Sequence, residues 1–334
     1  MIALLLLLAI GASDVAAEGR SEIEIHQTRW PNAAPRYSIP LSIAGRAPIE
    51  VMLDTGSTGL RLLPAAGPVT EIRGARPQRY AYRNGVVLTG KTARAELAIG
   101  QFRTEVEFSA TSAVACAPER PQCPAANLSP AQFRIGGATP TDGFLGILGA
   151  GLRAGDVDNP LTRTRDQAWI LLLPRPGDAT AGKLILNPTA AERARFTLFP
   201  LARDPRGDGS DWIDTVPACL VAAEGAKRLC APTLLDSGAP GLNVISRSPP
   251  PDEWPAGAKA ELRFGQTDPL GPRQEVTLGR GSARLVFTTP PANLPWEGLN
   301  AGDLPFHDFA VLYDAKAGTI GLAPRQAFME PAAP

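Results

Sequence analysis

Val51-Met-Leu-Asp-Thr-Gly-Ser-Thr-Gly-Leu-Arg-Leu-Leu63 and Thr233-Leu-Leu-Asp-Ser-Gly-Ala-Pro-Gly-Leu-Asn-Val-Ile245 say nearly the same thing twice. Over Leu53–Leu63 against Leu235–Ile245, Leu, Asp, Gly, Gly and Leu recur at five of eleven positions. The copies stand 182 residues apart, the length of a domain. In each, an apolar strand runs into Asp-[Thr/Ser]-Gly and leaves as another apolar strand. That pattern puts a carboxylate on a tight turn, and two such turns can bring two carboxylates face to face.

Outward from these turns the pattern is β throughout. Ser21–His26 alternates polar and apolar as a half-buried strand does, and Tyr37–Ile43 with Pro48–Leu53 reads as a hairpin around Ala44-Gly45-Arg46. Further strands are expected at Tyr80–Tyr82, Val86–Thr89, Ala93–Ile99 and Phe102–Phe108. Leu161–Leu173 reads as a short helix leading into a buried strand, followed by strands at Lys183–Leu186 and Arg195–Pro200. After the polar loop Arg203–Asp211, strands resume at Lys259–Phe264, Glu275–Leu278, Ala283–Thr288, Phe309–Tyr313 and Thr319–Leu322. Many short strands with frequent turns imply an all-β fold of barrel-like or sandwich lobes. The 33 glycines and 34 prolines serve as punctuation between them.

The charge balance removes some functions. The 33 basic and 33 acidic side chains cancel, so no basic field exists to attract nucleic acid or an anionic membrane. Residues 1–17 hold the apolar run Ile2–Ala12 and a small-residue Val15-Ala16-Ala17 site. The run is too short to span a bilayer and suits a signal peptide, though the basic n-region is missing. The expectation is export to a periplasm or the exterior, with no stable membrane insertion after cleavage. Four cysteines fall into local pairs, Cys116 with Cys123 and Cys219 with Cys230. Local disulfides suit an oxidising compartment; a four-cysteine zinc site would need Cys-x2-Cys knuckles, which are absent.

With these segments in place the sequence resembles the pepsin-like aspartic endopeptidases over almost all of its mature length. Besides the two triplets, Thr141-Asp-Gly-Phe-Leu-Gly-Ile-Leu-Gly149 is similar to the family's Asp-Gly-Ile-Leu-Gly-Leu segment. Tyr82-Arg-Asn-Gly85, followed by Thr89-Gly90, is similar to the flap hairpin with one extra residue. Gly302–Pro324 matches the closing segment. The resemblance implies a bilobal fold, an N-terminal lobe over 18–200 and a C-terminal lobe over 201–334, with the active site in the cleft between them. It implies Asp54 and Asp236 as the catalytic pair, sharing one proton because two adjacent carboxylates cannot both ionise cheaply. Thr55 and Ser237 would cross-link the turns, Gly56 and Gly238 would permit close approach, and Ser57 would bond the outer oxygen of Asp54. Tyr82, with Tyr80 as second candidate and Gly85 at the turn, would close over bound peptide. No cofactor or metal is implied, the partner is a peptide or protein substrate, and the chain is expected to be a monomer.

Departures from the family pattern carry their own expectations. Ala239 follows the second triplet where a hydroxyl is usual, so Asp236 is expected to lose one hydrogen bond and the pair to work at less acidic pH. Gly59 and Arg61 stand where the family has Asn and Trp. In the second half the apolar-apolar-Gly element becomes Asn300-Ala301-Gly302, a polar weakening. Only 36 residues separate Glu18 from Asp54, which leaves no room for an inhibitory prosegment.

Other chemistries fit less well. Gly149-Ala-Gly151-Leu-Arg-Ala154 spells a dinucleotide fingerprint, but it needs a following helix and βαβ alternation. Gly-x-Ser-x-Gly is absent, and His26 and His307 are the only histidines, which disfavours serine hydrolysis; His307, between Phe306 and Phe309, reads as structural. A homodimeric retroviral-type protease is disfavoured because one chain supplies both triplets. The remaining alternative is an exported pepsin-like peptide-binding protein without turnover.

Overall fold

The computed structural model describes residues 19–29, 34–69, 72–137, 139, 141–209, 211–223, 225, 227–248, 254–265, 271–279, 283–290 and 297–328. The expected leader over 1–17 and residues 249–253 of the Pro-rich loop lie outside them. Within them the fold is nearly all β, as the sequence pattern implies: sheets of thirteen, seven and two strands. The described α-helix is a single turn, Ala190–Arg193, capped by Thr189 and Glu192 in a reciprocal box.

The two aspartate turns sit in matching frameworks. In the larger sheet the strand Ile49–Asp54 runs parallel to Gly146–Ala150. That strand pairs antiparallel with Thr58–Leu62, which runs parallel to Phe102–Cys116. In the seven-stranded sheet Arg228–Leu234 runs parallel to Gly298–Asn300, which pairs antiparallel with Leu242–Ile245, itself parallel to Leu285–Thr288. The same parallel–antiparallel–parallel order is built twice, so the duplication in sequence is also one of topology. In each half the chain leaves one strand, turns at the aspartate and returns two places along, with a later strand threaded between.

Division of the chain at residue 200 is only part of the pattern. Strands between 215 and 300 form the smaller sheet, but Phe309–Asp314 and Thr319–Pro324 return to the larger one. There they pair with Ala168–Leu172 and Thr197–Pro200. Trp169 and Tyr313 stack with ring centroids 5.8 Å apart, both fully buried. One apolar cluster runs through both sheets, from Ile25 and Leu41 to Leu262 and Phe264. Each such side chain contributes about 1.5–3 kcal/mol by leaving water, and a continuous core holds the two turns at a fixed separation.

Several elements differ from the sequence reading. Val86–Thr89 and Ala93–Ile99 are one strand, Val86–Ile99, with a register shift at Thr89/Gly90. A Cβ at Gly90 would lie 2.0 Å from the Ala110 carbonyl oxygen, so the bulge needs glycine there. The strand Thr215–Ala222 has no counterpart in the sequence reading. The cysteines pair as expected, Cys116–Cys123 and Cys219–Cys230, which fits an oxidising environment. No helix among the described residues is long and apolar enough to cross a membrane. Gly149 and Gly151 open no helix: Gly149 lies inside the strand Gly146–Ala150, where a Cβ would meet the backbone of Ser57 and Thr58 at 2.7 Å. The dinucleotide fingerprint is therefore a packing requirement.

Candidate active site

Asp54 closes the strand Ile49–Asp54 and Asp236 stands two residues beyond Arg228–Leu234. The turns meet at the sheet junction and are tied crosswise. Thr55 N donates to Ser237 Oγ (3.0 Å) and Ser237 N donates to Thr55 Oγ1 (2.9 Å). Each hydroxyl then donates onward to the opposite chain, Thr55 Oγ1 to Leu235 O (2.7 Å) and Ser237 Oγ to Leu53 O (2.9 Å). These four bonds are buried, Thr55 and Ser237 being 0% and 2% exposed, so each is protected from competition by water.

The carboxylates are held in parallel fashion. Gly56 N donates to Asp54 Oδ1 and Gly238 N to Asp236 Oδ1, both at 2.9 Å. Each glycine also faces the other turn's carboxylate: a Cβ at Gly56 would lie 2.4 Å from Asp236 Oδ1, and one at Gly238 would lie 2.3 Å from Asp54 Oδ1. Only glycine admits this approach. Ser57 Oγ donates to Asp54 Oδ2 at 2.5 Å.

The expectation that Ala239 deprives Asp236 of a bond is corrected by Asn300. Its Nδ2 donates to Asp236 Oδ2 at 2.6 Å, while its Oδ1 accepts from Gly302 N at 2.8 Å. The amide thus fills the place that Ser57 fills in the first half, and each aspartate receives one backbone and one side-chain donor. Asn300 is not a weakening of an apolar element; it is the missing donor, delivered from the threaded strand rather than from the turn. The Asp236 carboxyl is nevertheless pushed up to about 7, first by burial, then by the Asp54 charge and the hydrogen bond the two carboxyls share, with Asn300 pulling against them. A less acidic working range survives as an expectation, with burial and charge as its cause.

A hairpin turn is formed at the segment read as the flap. Tyr82 N donates to Val86 O (2.8 Å) and Gly85 N to Tyr82 O (2.9 Å), with Gly85 at φ +93°. Tyr80 lies in the field of both Asp54 and Asp236. Its ring takes the Arg61 guanidinium at 3.7 Å from the centroid and meets Tyr82 edge-on at 4.9 Å. Tyr82 packs on the apolar group of Leu63, Val86 and Phe133, and its hydroxyl is buried without a hydrogen bond. Tyr82 also lies in the field of Asp54. Arg61, 3% exposed, donates to Thr58 O (2.9 Å) and Gly59 O (3.3 Å) and so supports the hairpin from below. Gly59 has φ +88°, and its Cβ would meet Val157 O at 2.5 Å.

Around this centre stand residues the sequence reading did not single out for the site. Arg153 is bound to Asp214, Nε to Oδ1 at 2.8 Å and Nη2 to Oδ1 at 2.7 Å. Arg36 and Arg83 also lie in the field of the aspartates. His307 places Nε2 at 3.7 Å from Asp303 Oδ2, with no hydrogen bond at that nitrogen. A cavity of about 580 Å³ beside the first turn is lined by Thr58, Gly151, Arg153, Asn159 and Trp212, among others; neither Asp54 nor Asp236 lines it. No cluster of three or more potential metal ligands occurs among the described residues. No protein-family model matches the sequence, and no curated protein matches it.

Proposed function

We propose that the chain is an aspartic endopeptidase of bilobal, pepsin-like architecture, exported, with Asp54 and Asp236 as its catalytic pair. The observation that carries this reading is the meeting of two Asp-[Thr/Ser]-Gly turns, cross-tied by Thr55 and Ser237, with the glycine of each turn packed against the carboxyl of the other. Such a pair keeps one proton between two oxygens that could otherwise both ionise, and a buried carboxyl held that way is costly to retain without a role.

The chemistry follows from the shared proton. A water between the carboxyls loses a proton to the ionised partner as its oxygen attacks the scissile carbonyl carbon. The protonated partner, for which Asp236 is the better suited, gives its proton to the carbonyl oxygen, forming a tetrahedral diol. As the diol collapses, one of its hydroxyls returns its proton to the pair, the C–N bond breaks, the amine leaves with a proton from the pair, and one carboxylic acid and one amine result. The pair ends with the single proton it began with. Tyr80 and Tyr82 on the hairpin would lie over the extended peptide and limit access of bulk water.

The test is hydrolysis of a mixed peptide library across a pH range of about 3 to 8, with and without a statine-type transition-state mimic, beside Asp54→Asn. Cleavage by the wild type, abolished by the mimic and by the substitution, is expected. Cleavage that survives in Asp54→Asn would sink the proposal. A wild type that binds the mimic and cuts nothing is the binding-protein alternative.

A further inference from the structure

The chain as a whole is neutral, but its cleft is not. Four guanidiniums lie in the field of the paired aspartates or against the hairpin: Arg36, Arg61, Arg83 and Arg153. Arg153 is neutralised by Asp214, and Arg61 is committed to two carbonyls and the Tyr80 ring. Arg36 and Arg83 are different, because neither has a carboxylate within ion-pair distance among the described residues.

Arg83 sits at the tip of the hairpin and reaches across to the seven-stranded sheet. Its Nη2 donates to Thr288 Oγ1 at 3.3 Å. With the Asn243 amide turned so that its nitrogen donates to Val286 O (3.1 Å) and Thr288 Oγ1 (2.8 Å), the Asn243 oxygen accepts from both terminal nitrogens of Arg83. The bridge therefore joins the hairpin, residues 82–86, to strands near the second aspartate, and Arg83 lies in the field of Asp236. Arg36 opens the strand Arg36–Ile43, donates to Pro35 O at 3.2 Å and lies in the fields of Asp303, Asp236 and Asp54. Burial pulls its pKa below the ordinary value.

We propose that the cleft selects peptides bearing aspartate or glutamate close to the scissile bond, and that Arg83 is the residue that reads the acid. The proposal rests on the peptidase reading of the cleft. Two neutral oxygens now hold Arg83, and a carboxylate outcompetes them because a charge-assisted, bidentate pair is roughly twice as strong as a neutral bond. A substrate strand lying between hairpin and aspartates must pass beneath the Arg83 bridge, so a residue beside the scissile bond comes within its reach. The aspartate pair is itself negative and repels an acidic peptide. The Arg83 cation, bridging the hairpin and the second sheet without a carboxylate partner, offsets that repulsion and turns it into selection.

An octapeptide library with apolar residues at the scissile bond and Glu or Gln at each flanking position tests the assignment. The wild type is expected to prefer Glu over Gln at one fixed position by roughly 10- to 100-fold in kcat/KM, the scale of charge-assisted bonds. Arg83→Gln should collapse that ratio toward unity, and Arg83→Glu should reverse it in favour of Lys at the same position. Equal cleavage of the Glu and Gln peptides by the wild type, or a Glu preference that survives Arg83→Glu, overturns the proposal. Calorimetric binding of the same peptide pairs separates the two readings. Preferential binding of Glu peptides, lost in Arg83→Gln, upholds acid recognition even if nothing is cut, and then only the peptidase reading falls. Equal affinity, or no binding of either peptide, overturns the recognition itself.

Discussion

Replacement of Asn300 by Leu removes one donor from Asp236 and little volume. The Nδ2–Oδ2 bond is 2.6 Å long, between residues 5% and 8% exposed. A hydrogen bond to a charged group is worth about 1.5–3 kcal/mol, and each pKa unit corresponds to about 1.4 kcal/mol, so the shift is about one to two units. The sign is fixed by which form the bond favours. Asn300 donates to the ionised carboxyl and holds its pKa down, so the variant keeps the shared proton to higher pH. The alkaline limb of the kcat/KM profile, where the pair loses its last proton, should move upward by that amount. Carboxyl-carbon NMR titration reads the same shift without turnover. Adding Ala239→Ser to Asn300→Leu places a hydroxyl three residues after Asp236, where Ser57 stands relative to Asp54, and should return the limb most of the way. Gly302 N also loses its acceptor, so the variant should be about 1–3 kcal/mol less stable. A denaturation curve separates that loss from the titration effect. An alkaline limb that stays fixed or moves down in a folded Asn300→Leu protein refutes the reasoning.

Two further substitutions probe the same centre. The raised pKa of Asp236, from 3.8 to about 7, means that the folded protein holds a proton the unfolded chain has released. The associated stability is present below about pH 4 and lost as pH rises through about 7, amounting to roughly 4 kcal/mol. Asp236→Asn should flatten this difference in urea midpoints between acid and neutral pH; an unchanged pH dependence would count against the buried pair. Gly56→Ala places a methyl group 2.4 Å from the Asp236 carboxyl, so the turns must separate. The expected cost is about 1–3 kcal/mol or more with loss of mimic binding, and a variant that melts and binds like the wild type would show that the approach is looser than described.

What the sequence made legible was local. Each Asp-[Thr/Ser]-Gly turn lies inside a few residues of apolar strand, so its chemistry and its glycine are visible at short range. The cysteine pairs close loops of 7 and 11 residues and were equally plain. The Thr189–Glu192 capping box was also local and readable, but a one-turn helix has no apolar periodicity to draw attention to it. Thr215–Ala222 was hidden for another reason. Pro217 argues against a central strand, yet it pairs opposite Pro232, so two missing N–H groups fall at one rung and the ladder continues on either side.

The residues that set the character of the site were not local at all. Asn300 reaches Asp236 across 64 positions because Gly298–Asn300 is threaded beside Arg228–Leu234, and Arg83 reaches Thr288 across 205. Read along the chain, Ala239 and Asn300 looked like two separate losses, a missing hydroxyl and a polar residue in an apolar element. In space they are one exchange, since the donor absent from the turn is supplied by the strand. The two halves therefore keep equal hydrogen bonding to their aspartates by different routes. The raised proton affinity of Asp236 therefore comes first from burial and then from the charge of Asp54, with Asn300 pulling against them. Of the surrounding arginines Arg153 is the one that pulls against the rise, so Arg153→Gln should move the titration of Asp236 upward, read by carboxyl-carbon NMR; a titration that stays fixed in the folded variant would count against this assignment.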